Sequence, residues 1–112
     1  MGQFEVGQVV STLFPFSDLS GRKYRPALIV AIVDFNDLIL CQITSKPYSS
    51  SMAVELSEDS FTKGRLPIKS YIRPDKLFTA EASIVSTVYG ELELAKLRQV
   101  EKILRNLFTE VK

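Results

Sequence analysis

The chain has 112 residues, a 46% hydrophobic and a 24% charged share, the make-up of an ordinary globular chain large enough for one modest core. Its formal net charge is +1, so no global positive field marks it for nucleic acid, and any polyanion must be held by a local patch. It has no histidine and a single cysteine, Cys41. Ser-His-Asp and Cys-His catalysis, histidine-containing zinc sites and an intrachain disulfide are thereby excluded. Acid–base chemistry is left to Arg, Lys, Asp, Glu, Tyr and hydroxyls.

The opening stretch, MGQFEVGQVVSTLF, lacks a basic flank, and Gln8, Ser11 and Thr12 interrupt its apolar residues. It is not expected to be a signal peptide. Gly2 invites a myristoylation reading, but Val6 stands where Ser or Thr is wanted. No apolar run approaches the roughly 20 residues that span a bilayer. One domain over residues 1–112, in the cytoplasm and off the membrane, is the expectation.

Gly7–Phe16 is β-branched and aromatic and reads as the first strand. Ser17–Tyr24 follows as a polar loop with Gly21 and a run of cations, Arg22, Lys23 and Arg25. It is either a solvated loop or a basic flap over a ligand. Next come two runs rich in Ile, Val and Leu, Ala27–Val33 and Leu38–Ile43, around the turn-tolerant residues Asp34, Asn36 and Asp37. They predict a β-hairpin of buried strands. Its two ends meet at one edge, because antiparallel partners run out and back. Arg25 at the entrance and Thr44 with Ser45 at the exit then form a cation beside hydroxyls, a candidate anion or phosphate site. Alternation puts Ile39, Cys41 and Ile43 on one face and Leu38, Leu40, Gln42 and Thr44 on the other. Cys41 reads as a small buried hydrophobe.

Lys46–Ser51 is a loop, either a linker or a hydroxyl surface beside Thr44. Met52–Leu56 predicts a short strand and Ser57–Gly64 a loop. Arg65–Ile68 and Ser70–Arg73 read as strand fragments, the second ended by Pro74. Asp75–Glu81 reads as turn-like, and Ala82–Val88 as a strand that Gly90 stops. From Leu92 to Thr109 the period changes to three or four, through Leu94, Leu97, Val100, Ile103 or Leu104, and Leu107 or Phe108. That is an amphipathic helix. Glu91 and Glu93 near its start and Lys102 and Arg105 toward its end suit the helix dipole. The sum is a mainly β chain, a small curled sheet or barrel closed by a C-terminal helix.

Four ordered stretches, GQVVSTLFPFSDLSGRKYRPALIV, LILCQITS, SYIRPDKLFT and GELELAKLRQVEKILRNLF, together resemble the MazF/PemK-type toxins of bacterial toxin–antitoxin pairs. The most specific parts are R-P-A-L-I-V and Q-I-T-S at their separation. The resemblance implies an SH3-like barrel with a C-terminal helix, a homodimer, and metal-independent endoribonuclease activity on single-stranded RNA. It also implies a cognate antitoxin as partner and no cofactor. Carried over by position, the catalytic arginine falls on Arg25 and the hydroxyl on Thr44, with Ser45 adjacent. A second arginine falls on Arg73 and an acid on Asp75. The first loop departs from the family's G-x-E pattern, with Asp18-Leu19-Ser20-Gly21 in its place, and lacks a histidine some members keep there. That departure bears on RNA sequence preference, which the resemblance alone does not carry over.

Cleavage by attack of the 2′-hydroxyl leaves a 2′,3′-cyclic phosphate, and needs a base, a donor for the leaving oxygen, and cations for the crowded phosphate. Arg25 and Arg73 are expected to clamp the phosphate, Thr44 to position it, and Asp75 to handle a proton. Arg22, Lys23, Lys46 and Lys69 would form a positive rim, joined by Ser45 and Ser70. Tyr24, Tyr48 and Tyr71 would stack on unpaired bases. Each residue also has a plainer structural reading. Arg25 can cover the barrel end or pair with Asp18, Thr44 can be an ordinary strand residue, and Arg73 and Asp75 can pair with each other. Two further readings remain. One is a protein-binding toxin of the gyrase-poison type, against which the absence of tryptophan counts. The other is a non-catalytic barrel that binds RNA or a peptide.

Overall fold

A computed structural model describes residues 4–14, 23–47 and 50–109 of the chain. Its strands are β1 (Gln8–Phe14), β2 (Lys23–Val33), β3 (Asp37–Thr44), β4 (Val54–Leu56), β5 (Phe61–Gly64), β6 (Ser70–Glu81) and β7 (Val85–Leu92), followed by the helix α1 (Leu94–Thr109). The described strands form one curled sheet in the order β4-β6-β3-β2-β1-β7-β5, a half-barrel whose pairings are all antiparallel.

The expected hairpin is present. β2 and β3 pair from Val33↔Asp37 to Ala27↔Gln42, and a single 3-10 turn at Asp34–Asn36 reverses the chain. Asn36 takes a left-handed φ of 67°, which asparagine tolerates better than other non-glycine residues. β2 begins earlier than its apolar run, at Lys23, so Arg25 and Pro26 lie inside it.

Alternation divides the core between the two faces of the sheet. One face carries Val9, Leu28, Cys41, Ile43 and Ile72, and α1 lies over it through Leu97 and Val100. Fully burying each of these two helix side chains contributes about 2 kcal/mol. The other face carries Val10, Ala27, Ile29, Leu38, Leu40 and Ala80. Toward the Arg25 end this second face turns polar.

Several boundaries differ from expectation. Pro74 does not end a strand. β6 runs on to Glu81, and the segment expected to be turn-like is its second half. The register jumps from Gln42↔Arg73 to Cys41↔Leu77, so Pro74, Asp75 and Lys76 bulge out of the ladder, where proline's missing N–H costs no sheet bond. Ser57–Gly64 holds a 3-10 turn closed by a Ser57/Ser60 capping box and then β5, rather than a loop alone. Arg65–Ile68 is not a strand. Ala82–Ile84 is a 3-10 turn, and Gly90 does not stop β7 but lies buried within it. The helix starts at Leu94, with no acidic residue in its first turn and no basic one in its last, and Glu93, whose carbonyl accepts the Leu97 N–H, directly precedes it.

Gly90 and Gly64 are needed because β5 and β7 approach closely. A Cβ on Gly90 would lie 2.3 Å from the Lys63 carbonyl oxygen, and one on Gly64, at φ +69°, would lie 2.0 Å from that of Tyr89. Gly90→Ala and Gly64→Ala are each expected to destabilise the fold by about 2 kcal/mol or more, read as a lower urea midpoint. An unchanged midpoint would show that β5 is not packed this way.

Candidate anion site at the polar rim

Antiparallel register brings the site together from four strands. Thr12 on β1 faces Arg25 on β2, and the β2–β3 register continued past Ala27↔Gln42 sets Arg25 opposite Thr44. Thr44 in turn faces Tyr71 on β6, and Tyr71 faces Glu55 on β4. One row lower, Ala27, Gln42 and Arg73 line up. Directly opposed residues in such a sheet share a face. Thr12, Arg25, Thr44, Tyr71, Gln42 and Arg73 therefore all rise from the face that carries Ala27 and Leu40.

Arg25 is half-buried, its Nε is fully buried, and it makes no hydrogen bond or ion pair among the described residues. A guanidinium partly withdrawn from water without an acceptor is costly, which leaves it strongly receptive to an anion. Thr44 is half-buried, and its Oγ1 accepts the Lys46 N–H at 3.1 Å. That bond fixes the start of the following loop and leaves the hydroxyl hydrogen free to donate. Lys46, Ser45 and Lys23 are exposed around this pair.

Arg73 and Asp75 form a two-pronged pair, with Nε donating to Oδ1 at 3.0 Å and Nη2 to Oδ2 at 2.7 Å. The Ser50 hydroxyl also donates to Oδ2, at 3.3 Å. Hydrogen bonds from Arg73 hold the Asp75 carboxyl below its ordinary value, against a smaller opposing effect of burial, and Asp75 raises the pKa of Arg73. A carboxylate so engaged is a weak proton acceptor at neutral pH.

Other candidates are placed less directly. Alternation turns Tyr24, 59% exposed, to the face opposite Arg25. Lys69 pairs with Glu55 at 2.7 Å, beside Tyr71. Ser70 is buried and donates to the Ile68 carbonyl at 2.8 Å, which removes it from the rim. Arg22, Asp18 and Tyr48 lie outside the described residues. Thr12 and Gln42 also belong to this face, although their positions in the sequence do not mark them as site residues. Thr12 looked like one more β-branched strand residue, and nothing before the register was known placed it beside Arg25.

The curled antiparallel sheet and the C-terminal helix define a small β half-barrel closed by one helix. Residues 5–108 match the family model of the PemK-like, MazF-like toxins of type II toxin–antitoxin systems, and the chain belongs to that family. None of the curated proteins matches it in sequence. Among solved structures, an endoribonuclease in complex with its cognate antitoxin from a Mycobacterial species superposes with a TM-score of 0.72 at 16% identity, covering 100% of this chain and 99% of that one. MazE–MazF from Deinococcus radiodurans gives 0.74 at 18%, covering 96% and 97%, and MazF alone from the same organism gives 0.72 at 20%, covering 95% and 96%. At these identities the likeness speaks for the fold.

Cys41 behaves as the sequence led us to expect. It is fully buried, and burial, helped by the Asp75 charge, pushes its thiol up to about 12. The native state then keeps its proton at pH values where the unfolded chain has lost it, so stability falls as pH rises above about 8.5, the ordinary thiol value. Cys41→Ala should flatten this alkaline decline in a series of urea melts, whereas an identical slope in the variant would contradict it. The folded protein should also resist iodoacetamide at pH 8, with labelling appearing only on unfolding.

Proposed function

We propose that this chain is the toxin of a toxin–antitoxin pair and acts as an endoribonuclease on single-stranded RNA. The observation that carries the reading is Arg25, half-buried and with its Nε lacking a hydrogen-bond partner among the described residues, on the row toward which the β2–β3 register carries Thr44. Family membership and the endoribonuclease description of the Mycobacterial neighbour support the same substrate class.

The reaction is internal transfer. The 2′-hydroxyl oxygen bonds to phosphorus, the bond to the 5′ oxygen breaks, and a 2′,3′-cyclic phosphate and a 5′-hydroxyl result. Charge accumulates on the non-bridging oxygens. Arg25 supplies two N–H donors to them and Thr44 a third from its hydroxyl, so the protein itself provides the positive charge and no metal is required. Arg73 stands one row away, aligned by Asp75, which offsets its charge. Of the two roles open to Asp75, alignment of Arg73 fits the geometry better than proton transfer, because both its oxygens are bonded and its pKa is lowered. Lys23 and Lys46 lie exposed beside the pair and can follow the RNA backbone, with Tyr71 as a stacking surface. Two copies of the chain would join two such rims into a longer groove, which fits RNA binding at a net charge of +1. A cognate antitoxin is the expected protein partner, and the cytoplasm, where messenger RNA is available, the expected site of action. No helix among the described residues is long and apolar enough to cross a membrane.

Purified protein should cut a long single-stranded RNA in the presence of EDTA, leaving cyclic phosphate ends, and Arg25→Ala should lower the rate about a hundredfold or more. Absence of cutting across several RNAs by folded protein would overturn the reading and favour a partner-binding toxin. Asp75→Asn separates the two roles of that residue. Alignment predicts a loss of about tenfold with the acid side of the pH–rate profile unmoved, while loss of that acid limb would make Asp75 the base.

A further inference from the structure

Two cross-strand neighbours beneath the site each hold a buried polar atom with no hydrogen-bond partner among the described residues. Thr12 is completely buried, and its Oγ1 has no hydrogen-bond partner among the described residues; the Nε of Arg25 is the other buried side-chain atom in that condition. The two residues are direct partners across β1 and β2, which places their Cβ atoms about 5 Å apart on one face. Buried polar groups are nearly always satisfied, and a pair left open at the same place needs a reason. A valine would fill the Thr12 site equally well, since Val10 and Ala27 lie one row below and the Val85 partner on β7 is apolar. The chemistry of the two atoms is complementary. Nε–H can only donate, whereas a threonine hydroxyl can accept.

We propose that Thr12 is a positioning residue for Arg25. Its hydroxyl accepts the Nε–H when a phosphate draws the guanidinium into place, and both terminal nitrogens are then directed outward to two phosphate oxygens. The inference rests on the endoribonuclease reading for its substrate, but not for its geometry. It makes the arginine's grip end-on, through the two Nη groups, rather than side-on through Nε and one Nη. It also explains why a polar residue occupies a fully buried position in β1. With Nε anchored, the fork is held before the phosphate becomes crowded, so the benefit appears in the chemical step more than in substrate binding.

The test compares wild type, Thr12→Val and Thr12→Ser in cleavage of a single-stranded RNA under saturating and subsaturating conditions, with melting temperatures recorded alongside. Thr12→Val keeps the shape and removes the hydroxyl. The expected result is a kcat about tenfold lower with KM within twofold, a melting temperature equal or higher, and Thr12→Ser restored to within threefold of wild type. Thr12→Val cutting at the wild-type rate, or Thr12→Ser as impaired as Thr12→Val, would overturn the proposal.

A second readout needs no cleavage. The Arg25 Nε–H proton resonance of labelled protein is followed as a 2′-O-methyl RNA oligonucleotide, which cannot be cut, is added. A downfield shift in wild type that is absent in Thr12→Val supports the anchor, and an identical shift in both variants sinks it. If wild type binds and shifts in this way yet never cleaves RNA, the endoribonuclease reading fails while the positioning role stands.

Discussion

The pairing of β2 with β3 sets everything else at the rim. Each strand buries one apolar row on either face of the sheet, Leu28 with Cys41 and Ile29 with Leu40. A slip of one residue would turn both rows inside out, so the register is strongly fixed by burial. The same register then carries the polar ends of the two strands to one place. Arg25 and Thr44 lie just beyond the last pair, Ala27↔Gln42, on the row to which that register leads. β1 and β6 extend the row on either side, adding Thr12 and Tyr71. The site is thus the polar continuation of a core face, held on strands rather than on loops, which suits a task that depends on fixed donors.

The two arginines of the rim are in different states. Arg73 is already satisfied by Asp75, which the bulge at Pro74–Lys76 presents to it, and Ser50 adds a third bond to the same carboxylate. Arg25 has no such carboxylate among the described residues. A neutral pair and a cation with no carboxylate partner among the described residues, one row apart, give a local positive centre without a large net charge. The bulge also brings the Asp75 charge near Cys41, one contribution to that thiol's raised pKa. A single irregularity of β6 thereby shapes both the rim and the core beneath it.

Much of this was legible in the sequence, where a strong periodic signal coincided with real burial. The hairpin, the polar drift from Leu40 through Gln42 to Thr44, the buried cysteine and the helical stripe of Leu97 and Val100 all follow from alternation or from a three-to-four spacing. The errors fall where local rules met tertiary exceptions. Pro74 reads as a strand end, yet a bulge accommodates it; Gly90 reads as a stop, yet close packing on β5 demands it. β5 is too short, with burial at Phe61 only partial, to show any alternation. Within the site, Arg25 and Thr44 could be expected at one edge in advance because one hairpin links them, and the observed hairpin register leads toward that edge. Thr12 could not, since its neighbour depends on a strand pairing across a loop whose length says nothing about register. Tyr24 and Ser70 were assigned to the rim by proximity in sequence, and side-chain alternation or a local backbone bond turns them away.

The central claim is that Arg25 and Thr44 hold the backbone phosphate at which the RNA is cut. A crystal structure of the protein with a 2′-O-methyl RNA oligonucleotide tests it most directly. The account predicts a phosphate with its oxygens about 2.7–3.0 Å from both Nη atoms of Arg25 and within hydrogen-bond reach of Thr44 Oγ1. RNA bound on another face, with Arg25 still lacking an anion, would contradict it.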